Sequence, residues 1–231
     1  MSLEALTFGL LPPIIVEQLI LATGQTLFMV GTAGALGALF GAPLGIFLAT
    51  SGRGELFAAP LANRLIGALV NATRSTPFII LVVAIIPFTR LVAGSSIGTT
   101  AAIVPLTVAA APFIARIVEA AIREVDPGLI EAARAMGARP GQIVRKVLLP
   151  EATPSIVLGL TLALVSLIGY SAMVGAVGGG GLGDLGIRYG YQRFMPEVMA
   201  AVVALLILLV QIVQSTGDKI ARTLNRRIRR A

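Results

Sequence analysis

Residues 98–150 read GTTAAIVPLTVAAAPFIARIVEAAIREVDPGLIEAARAMGARPGQIVRKVLLP, an apolar run followed by a charged segment. The apolar part, 98–122, exceeds the roughly 20 residues that a helix needs to cross about 30 Å of hydrocarbon. The segment 124–150 contains charges spaced too closely for a stable place inside a bilayer. Together the two segments predict a membrane-spanning helix followed by a loop at the membrane surface.

Four further apolar stretches of span length lie on either side of this segment. They cover residues 24–49, 76–94, 152–177 and 196–218. The lead-in Pro13–Ala22 is shorter and carries Glu17, so it is either an interfacial start or an extension of the first span. The mixed stretch 56–74 predicts a helix that enters from the water side and runs into the second span. We therefore predict an all-α polytopic membrane protein with five spans in one domain, residues 1–231.

The composition supports a membrane protein and excludes several other classes. Of 231 residues, 56% are hydrophobic and 13% charged, and the mean hydropathy is +0.93. A soluble domain usually has about a quarter of its residues charged, and a disordered segment has far less to bury. The sequence contains 0 Cys and 0 His, which excludes thiolate metal sites and removes the commonest general base. A membrane-embedded enzyme is therefore disfavoured.

The basic residues are distributed very unequally between the two sides of the predicted membrane. Alternating spans that begin outside leave three of the 18 Lys and Arg residues outside and fifteen inside. Because cytoplasmic loops carry the excess of basic residues, the N-terminus is predicted outside and the C-terminus in the cytoplasm. The RRIRR tail at 226–230 is then a membrane-orienting signal rather than a nucleic-acid site. The segment MSLEALTFGLLPP at the start has no basic residue, so the first span is expected to be retained rather than cleaved.

Small residues and ion pairs indicate how the spans pack. Gly37, Gly41 and Gly45 share one helix face, which suits close packing within the chain or between two copies of it. Arg116, Glu119 and Arg123 are spaced for pairing at the inner end of the third span and are interpreted as a structural brace. Prolines at 43, 77, 87, 105 and 112 can kink the spans. Five short spans can hardly enclose a wet pathway alone, which favours pairing of two copies.

The loop 124–150 contains a short capped helix. Asp126 and Pro127 are a helix start signal, and the run Leu129–Met136 is helix-forming. Gly137 lies where a helix often ends on a left-handed residue, and Pro140 is expected to open a second helix through Leu149. Ala132 and Ala133 form a small-residue face that can lie in a groove, with Glu131, Arg134 and Arg139 as polar anchors. From the residues alone, two interpretations are equally good: a helix that docks onto another protein, or a simple surface helix between spans.

Glu131-Ala132-Ala133 followed by Gly137 and by Leu149-Pro150 resembles the EAA signature of ABC importer membrane subunits. Three stretches, at 74–98, 111–138 and 167–191, closely resemble the permeases of methionine importers. They read RSTPFIILVVAIIPFTRLVAGSSIG, APFIARIVEAAIREVDPGLIEAARAMGA and LIGYSAMVGAVGGGGLGDLGIRYGY. The likeness covers most of residues 20–225.

This resemblance implies a type I ABC importer permease fold in a bacterial inner membrane. It implies a homodimer that pairs with two cytoplasmic ATPase subunits and receives methionine from an extracytoplasmic binding lipoprotein. ATP and Mg would be bound by the ATPase, and this chain would hold no cofactor, metal or catalytic residue. The residues implied in ATPase coupling are Asp126, Pro127, Leu129, Glu131, Ala132, Ala133, Arg134, Met136, Gly137, Leu149 and Pro150. Alternatives are a permease for another small amino acid or related solute and an independent secondary transporter, although no acidic residue lies at a span centre.

The fourth span and the glycine-rich segment after it contain candidates for the substrate pathway. Tyr170, Ser171 and Met173 lie on the span that lines the pathway in the resembled family, although core packing explains Met173 equally well. An apolar constriction there would seal against ions and yield to a Met-like side chain. The glycines at 178–186 predict an irregular outer loop, in which Asp184, Arg188 and Arg193 are either solvated charges or contacts to the binding protein.

Overall fold

A computed structural model describes residues 12–228 of the chain, with side chains described as far as Asn225. The predictions about the start of the chain and the RRIRR side chains lie outside these residues. Over the described residues the chain forms helices and no strand. In order these are α1 (Pro13–Thr50), α2 (Pro60–Ser75), α3 (Phe78–Ala84), α4 (Ile86–Ala93), α5 (Thr99–Arg123), α6 (Pro127–Ala135), α7 (Pro140–Gly175), α8 (Gly181–Leu185) and α9 (Pro196–Ile228).

Four described helices are long and apolar enough to cross a membrane, namely α1, α5, α7 and α9. The pair α2 and α3 meets the same criterion together, which allows a fifth span. The third and fifth predicted spans correspond to α5 and α9, and the lead-in Pro13–Ala22 is an extension of the first span because α1 begins at Pro13.

The second predicted span, 76–94, is wrong as a single helix. It consists of α3 and α4, which are interrupted at Ile85. Pro87 lies in the first turn of α4, where its missing N–H costs no hydrogen bond, but its ring would clash with the carbonyl of Val83 in a continuous helix. The helix predicted at 56–74 is present as α2, but it begins at Pro60, and it does not run continuously into the second predicted span. It ends before Pro77 because Thr76 is extended, as residues before proline usually are.

The start of the fourth span also differs from the prediction of 152–177. Pro140 opens a helix as expected, but this helix does not end at Leu149 and continues to Gly175 as α7. Within α7, Val144–Leu148 forms a wider π-helical turn, in which the Leu149 N–H bonds to the Val144 carbonyl. This turn precedes Pro150, which lacks the N–H for an ordinary helical bond.

The chain divides into two compact units. One contains residues 12–35, Pro77–Val108 and Leu164–Val213, and its core includes Met29, Leu106 and Leu182, each 0% exposed. In this unit the expected irregular loop at 178–186 is partly helical, because α8 begins at Gly181 and a π-helical segment, Gly186–Tyr191, follows it. Gln25 Oε1 and Thr26 Oγ1 of α1 accept the Gly181 and Leu182 N–H groups at 2.9 Å, so they satisfy the start of α8.

The other unit contains Leu36–Thr76, Ala109–Ala163 and residues 214–228. Here the glycine face of α1 packs within the chain. A Cβ at Gly41 or Gly45 would overlap the carbonyl oxygen of Ala111 or Ala115 in α5, so the backbones of the two helices are in direct contact. This confirms the first of the two interpretations left open for these glycines.

Candidate functional site

The helix α6 is capped at both ends by the residues that the sequence singled out. Asp126 Oδ1 accepts the Gly128 N–H at 2.8 Å, and Pro127 occupies the first turn. At the other end Gly137 adopts φ +77°. The Gly137 N–H bonds to the Arg134 carbonyl at 2.9 Å and the Ala138 N–H to the Ala133 carbonyl at 3.0 Å, the bonding pattern of a Schellman motif. The predicted boundaries of this helix are confirmed.

Ala132 and Ala133 do not share a face, which corrects the prediction of a joint small-residue surface. Ala133 is 3% exposed and packs into the protein, whereas Ala132 is exposed. The two residues are consecutive, so they differ in direction by about 100° around the helix. Ala132 instead lies between Leu129 and Met136, which are 42% and 81% exposed.

These three residues, Leu129, Ala132 and Met136, form what we call the apolar stripe of α6. Their spacing of three and four residues places them on one side of the helix. Glu131 and Arg134 are exposed next to the stripe. An exposed apolar stripe with charged residues at its edge has the composition of a surface that contacts another protein.

Behind α6 lies an open cleft of about 280 Å³. It is lined by Glu55, Arg123, Ile130, Glu131, Arg134 and Leu148, among others. Leu149 and Pro150, the last residues of the EAA pattern, do not line this cleft, and they begin the long α-helical part of α7 that follows the π-helical turn. Their neighbour Leu148 is 2% exposed and is the residue of this segment that lines the cleft.

The base of the loop is held by a network of charges, which we call the brace. Arg116 and Arg123 both pair with Glu119, and the Arg123 Nη2–Glu119 Oε1 distance is 2.9 Å. Arg116 Nη2 also donates to the Gly67 carbonyl and to Asn71 Oδ1 of α2, each at 2.9 Å. The predicted structural brace is therefore confirmed, and it connects α5 with α2.

The three predicted pathway residues on α7 have different surroundings. The Tyr170 ring stacks on Phe78 with 4.4 Å between ring centroids. Ser171 is 2% exposed and its hydroxyl donates to the Ile168 carbonyl at 2.7 Å. Met173 is 49% exposed. The structure therefore places Met173 at the surface of its unit, Tyr170 in a stacked aromatic pair that the sequence analysis missed, and Ser171 in the interior.

The segment after α8 presents aromatic and basic side chains. Arg188 pairs with Asp184, and the Arg193 guanidinium lies 4.5 Å from the centroid of the Tyr189 ring. Phe194 is 85% exposed and has φ +54°, a left-handed conformation that is unusual for a bulky residue. Asp184 and Arg188 are thus partly neutralised by each other, while Arg193 and Phe194 remain accessible.

No group of three or more potential metal ligands occurs among the residues that the structure describes. The described residues around the loop form capped helix ends, an exposed apolar stripe and a braced loop base.

Most of the chain is similar to known transport proteins. The family described as binding-protein-dependent transport system inner membrane component matches residues 41–230. The "Probable D-methionine transport system permease protein MetI" of Vibrio cholerae is 56% identical over 211 residues, which are 91% of this chain and 94% of that protein. The "D-methionine transport system permease protein MetI" of Escherichia coli K12 is 56% identical over 151 residues, which are 65% of this chain and 70% of that protein.

Solved structures agree with this similarity. A chain from "Inward facing conformations of the MetNI methionine ABC transporter" superimposes with a TM-score of 0.90 at 50% identity, covering 93% of this chain and 99% of that one. An amino acid ABC transporter chain with a TM-score of 0.74 is 21% identical and shares the fold.

Proposed function

The chain belongs to the family of binding-protein-dependent transport system inner membrane components, and we propose that it is the inner-membrane permease subunit of an ABC importer for methionine. The observation that carries the substrate is its 56% identity to the Vibrio cholerae protein over 94% of that protein's length. The similar solved chain comes from a methionine ABC transporter, which supports the same substrate.

Two copies of the chain form the translocation pathway. The helix α9 is 33 residues long, and only 11% of its apolar, span-length part is buried against the rest of the chain. The exposed apolar side chains of this helix need lipid or protein around them, and a second copy together with the bilayer supplies both.

ATP is bound and hydrolysed by separate ATPase subunits, and this chain holds neither ATP nor Mg. Its sequence lacks the pattern G-x-x-x-x-G-K-[ST] that cradles phosphates in such ATPases. The coupling residues from Asp126 to Gly137 transmit the movement of the ATPases, with the apolar stripe of α6 as the contact. Leu149 and Pro150 act indirectly, by setting where α7 resumes as an α-helix after its π-helical turn.

The transport cycle needs two arrangements of the dimer, one open to each side of the membrane. A rigid connection from the ATPase contact to the spans converts ATPase closure into that rearrangement. The brace supports this role because it ties the end of α5 to α2 immediately before α6. Tyr170, Ser171 and Met173 contribute to the pathway and its gate, and a binding protein delivers the substrate from outside.

Uptake into proteoliposomes tests the function directly. The vesicles contain this chain and its ATPase, with ATP inside and the binding protein outside, and they are supplied with labelled L- or D-methionine. Uptake that requires ATP and all three proteins is expected. ATPase activity stimulated by the binding protein without methionine uptake would support the permease class with another amino acid as substrate. Methionine uptake by this chain alone, without ATP, would overturn the proposal in favour of a secondary transporter.

A further inference from the structure

The helix α2 exposes two chemically different sides. Leu61, Leu65 and Leu69 follow each other at intervals of four residues and are 63–71% exposed. Asn71, Arg74 and Ser75 are exposed on another side, which we call the polar edge of α2. At 3.6 residues per turn Leu69 and Asn71 point about 160° apart. One side therefore suits lipid or an apolar partner, and the other does not.

The polar edge lies at the depth of the middle of a span. The Arg74 guanidinium is 5.7 Å from the centroid of the Phe113 ring in α5. Phe113 is ten residues before the end of α5 at Arg123, which corresponds to about 15 Å along the helix. This distance is half of the roughly 30 Å hydrocarbon thickness. The charged residues of α5 nearest to Phe113 are Arg116, three residues later, and Glu119, which Arg116 already pairs with.

Arg74 has no counter-charge at this depth. Within residues 12–225 no carboxylate forms an ion pair with it, and the face of Phe113 offers only a weak cation–π contact. An arginine in the middle of a bilayer is costly, so such residues face protein or water. The exposed side of Arg74 therefore requires a water-filled space, an anion, or both.

The neighbouring residues on this edge leave the guanidinium accessible. Asn71 Oδ1 is occupied by Arg116 Nη2 at 2.9 Å, and the Ser75 hydroxyl donates to the Asn71 carbonyl at 2.9 Å. Neither group competes for the Arg74 donors. A guanidinium presents its donors in a planar fork that matches a carboxylate with two parallel hydrogen bonds.

We propose that the polar edge of α2 lines the water-filled translocation pathway and that Arg74 receives the carboxylate of the amino-acid substrate in transit. This inference rests on the proposed function for the identity of the carboxylate. The water-filled path follows from the placement of Arg74 alone. The site is separate from Tyr170, Ser171 and Met173, which lie on α7.

Cysteine labelling tests whether the polar edge faces water. Because the chain has 0 Cys, each single-cysteine variant gives one signal. Ser75→Cys is compared with Leu65→Cys and Leu69→Cys in the transporter assembled with its ATPase in membranes, using a charged, membrane-impermeant thiol reagent. We expect Ser75→Cys to react at least tenfold faster than both leucine variants. Equal rates would overturn the proposal, as would a disulfide cross-link between the Ser75→Cys residues of two copies, since that would make this edge a contact between copies.

Transport measurements test the carboxylate contact. We expect Arg74→Gln to lower methionine uptake at least tenfold while the binding protein still stimulates ATP hydrolysis to within twofold of the unchanged transporter. Arg74→Lys keeps the charge and should recover part of the uptake. Arg64→Gln on the same helix, near its start, should stay within twofold and serves as the matched control.

The outcomes separate the inference from the function on which it rests. Full uptake by Arg74→Gln, in a transporter whose unchanged form imports methionine, would overturn the inference and leave the function standing. Equal loss of uptake and of ATPase stimulation in both the Gln and Lys variants would indicate a structural role and would also overturn it. If the unchanged transporter fails to import methionine, the function fails, and the labelling rates still decide whether the polar edge faces water.

Discussion

Glu119 Oε1 lies 2.9 Å from Arg123 Nη2 in an ion pair that spans one helical turn of α5, directly before the loop that carries α6. Glu119 is 7% exposed, and it also pairs with Arg116, which reaches the Gly67 carbonyl in α2. A single buried carboxylate thus holds two arginines that connect the end of α5 to the neighbouring helix. Burial without these partners would be costly, because an ionised carboxylate loses its hydration there.

Replacing Glu119 with alanine should destabilise the chain. Arg116 would then lack a counter-charge, and hydrogen bonds to charged groups contribute about 1.5–3 kcal/mol each. We expect a lower melting temperature of the purified protein and weaker coupling of uptake to ATP hydrolysis. Glu124→Ala removes an exposed carboxylate five residues later and is the control. Equal melting temperatures for the two variants would contradict the structural importance of the brace.

Glycine-to-alanine changes along α1 should have opposite signs at different positions. A Cβ at Gly24 or Gly31 meets nothing within 4 Å, so alanine there should be neutral or stabilise the helix by up to about 1 kcal/mol. A Cβ at Gly41 or Gly45 would overlap the backbone of α5, and such overpacking costs about 1–3 kcal/mol. Thermal unfolding of the four single variants measures the contrast. Destabilisation at Gly24 and Gly31 as large as at Gly41 and Gly45 would refute the packing.

The residues that could be interpreted correctly from the sequence act locally. Asp126 and Gly137 define α6 through hydrogen bonds and dihedral angles within one helical turn. The glycine face of α1 was also evident, because a spacing of four residues leads directly to a helix face. Each of these features depends on a few neighbours and little on the rest of the fold.

The breaks within helices, and the side of a helix that is buried, could not be predicted in the same way. A hydropathy average treats 76–94 as one run, whereas Pro87 separates α3 from α4. The same average places the start of the fourth span at 152, although the π-helical turn before Leu149 lets the helix continue from Pro140. Ala132 and Ala133 have the same side chain, and only the packing of α6 reveals which of them is buried.

The pair Ala132 and Ala133 therefore separates docking from folding. Ala133→Leu adds three carbons at a position that is 3% exposed, so it should lower the melting temperature of the chain itself. Ala132→Leu should leave the melting temperature unchanged and weaken assembly with the ATPase, because the added carbons stand on the apolar stripe. Thermal unfolding of the isolated chain and copurification with the ATPase measure the two effects. Unchanged assembly with Ala132→Leu would argue against the stripe as the contact.

Gly137 should tolerate asparagine far better than valine. Its φ of +77° lies in the left-handed region, which asparagine enters with little cost and a β-branched residue enters only with strain of roughly 1–3 kcal/mol. Gly137→Val should lose the Schellman bonds at the end of α6 and assemble poorly with the ATPase. Gly137→Asn should assemble and transport nearly normally. A Gly137→Val transporter with normal assembly and uptake would show that this helix end is not needed for coupling.

Met173 should affect the tightness of the pathway rather than the stability of the fold. Its side chain is 49% exposed within its unit, so truncation leaves no buried cavity and should change the melting temperature little. Alanine removes the flexible thioether that would close an apolar constriction, and a wider constriction should let water and small ions pass. We expect Met173→Ala to show ion leakage in proteoliposomes and fewer methionine molecules imported per ATP hydrolysed. Leu158→Ala is the comparison on the same helix: Leu158 is 44% exposed, similar to Met173, and is not part of the proposed gate, so its truncation should cause no leakage. If Met173→Ala transports with unchanged coupling and no leak, Met173 has no part in the gate.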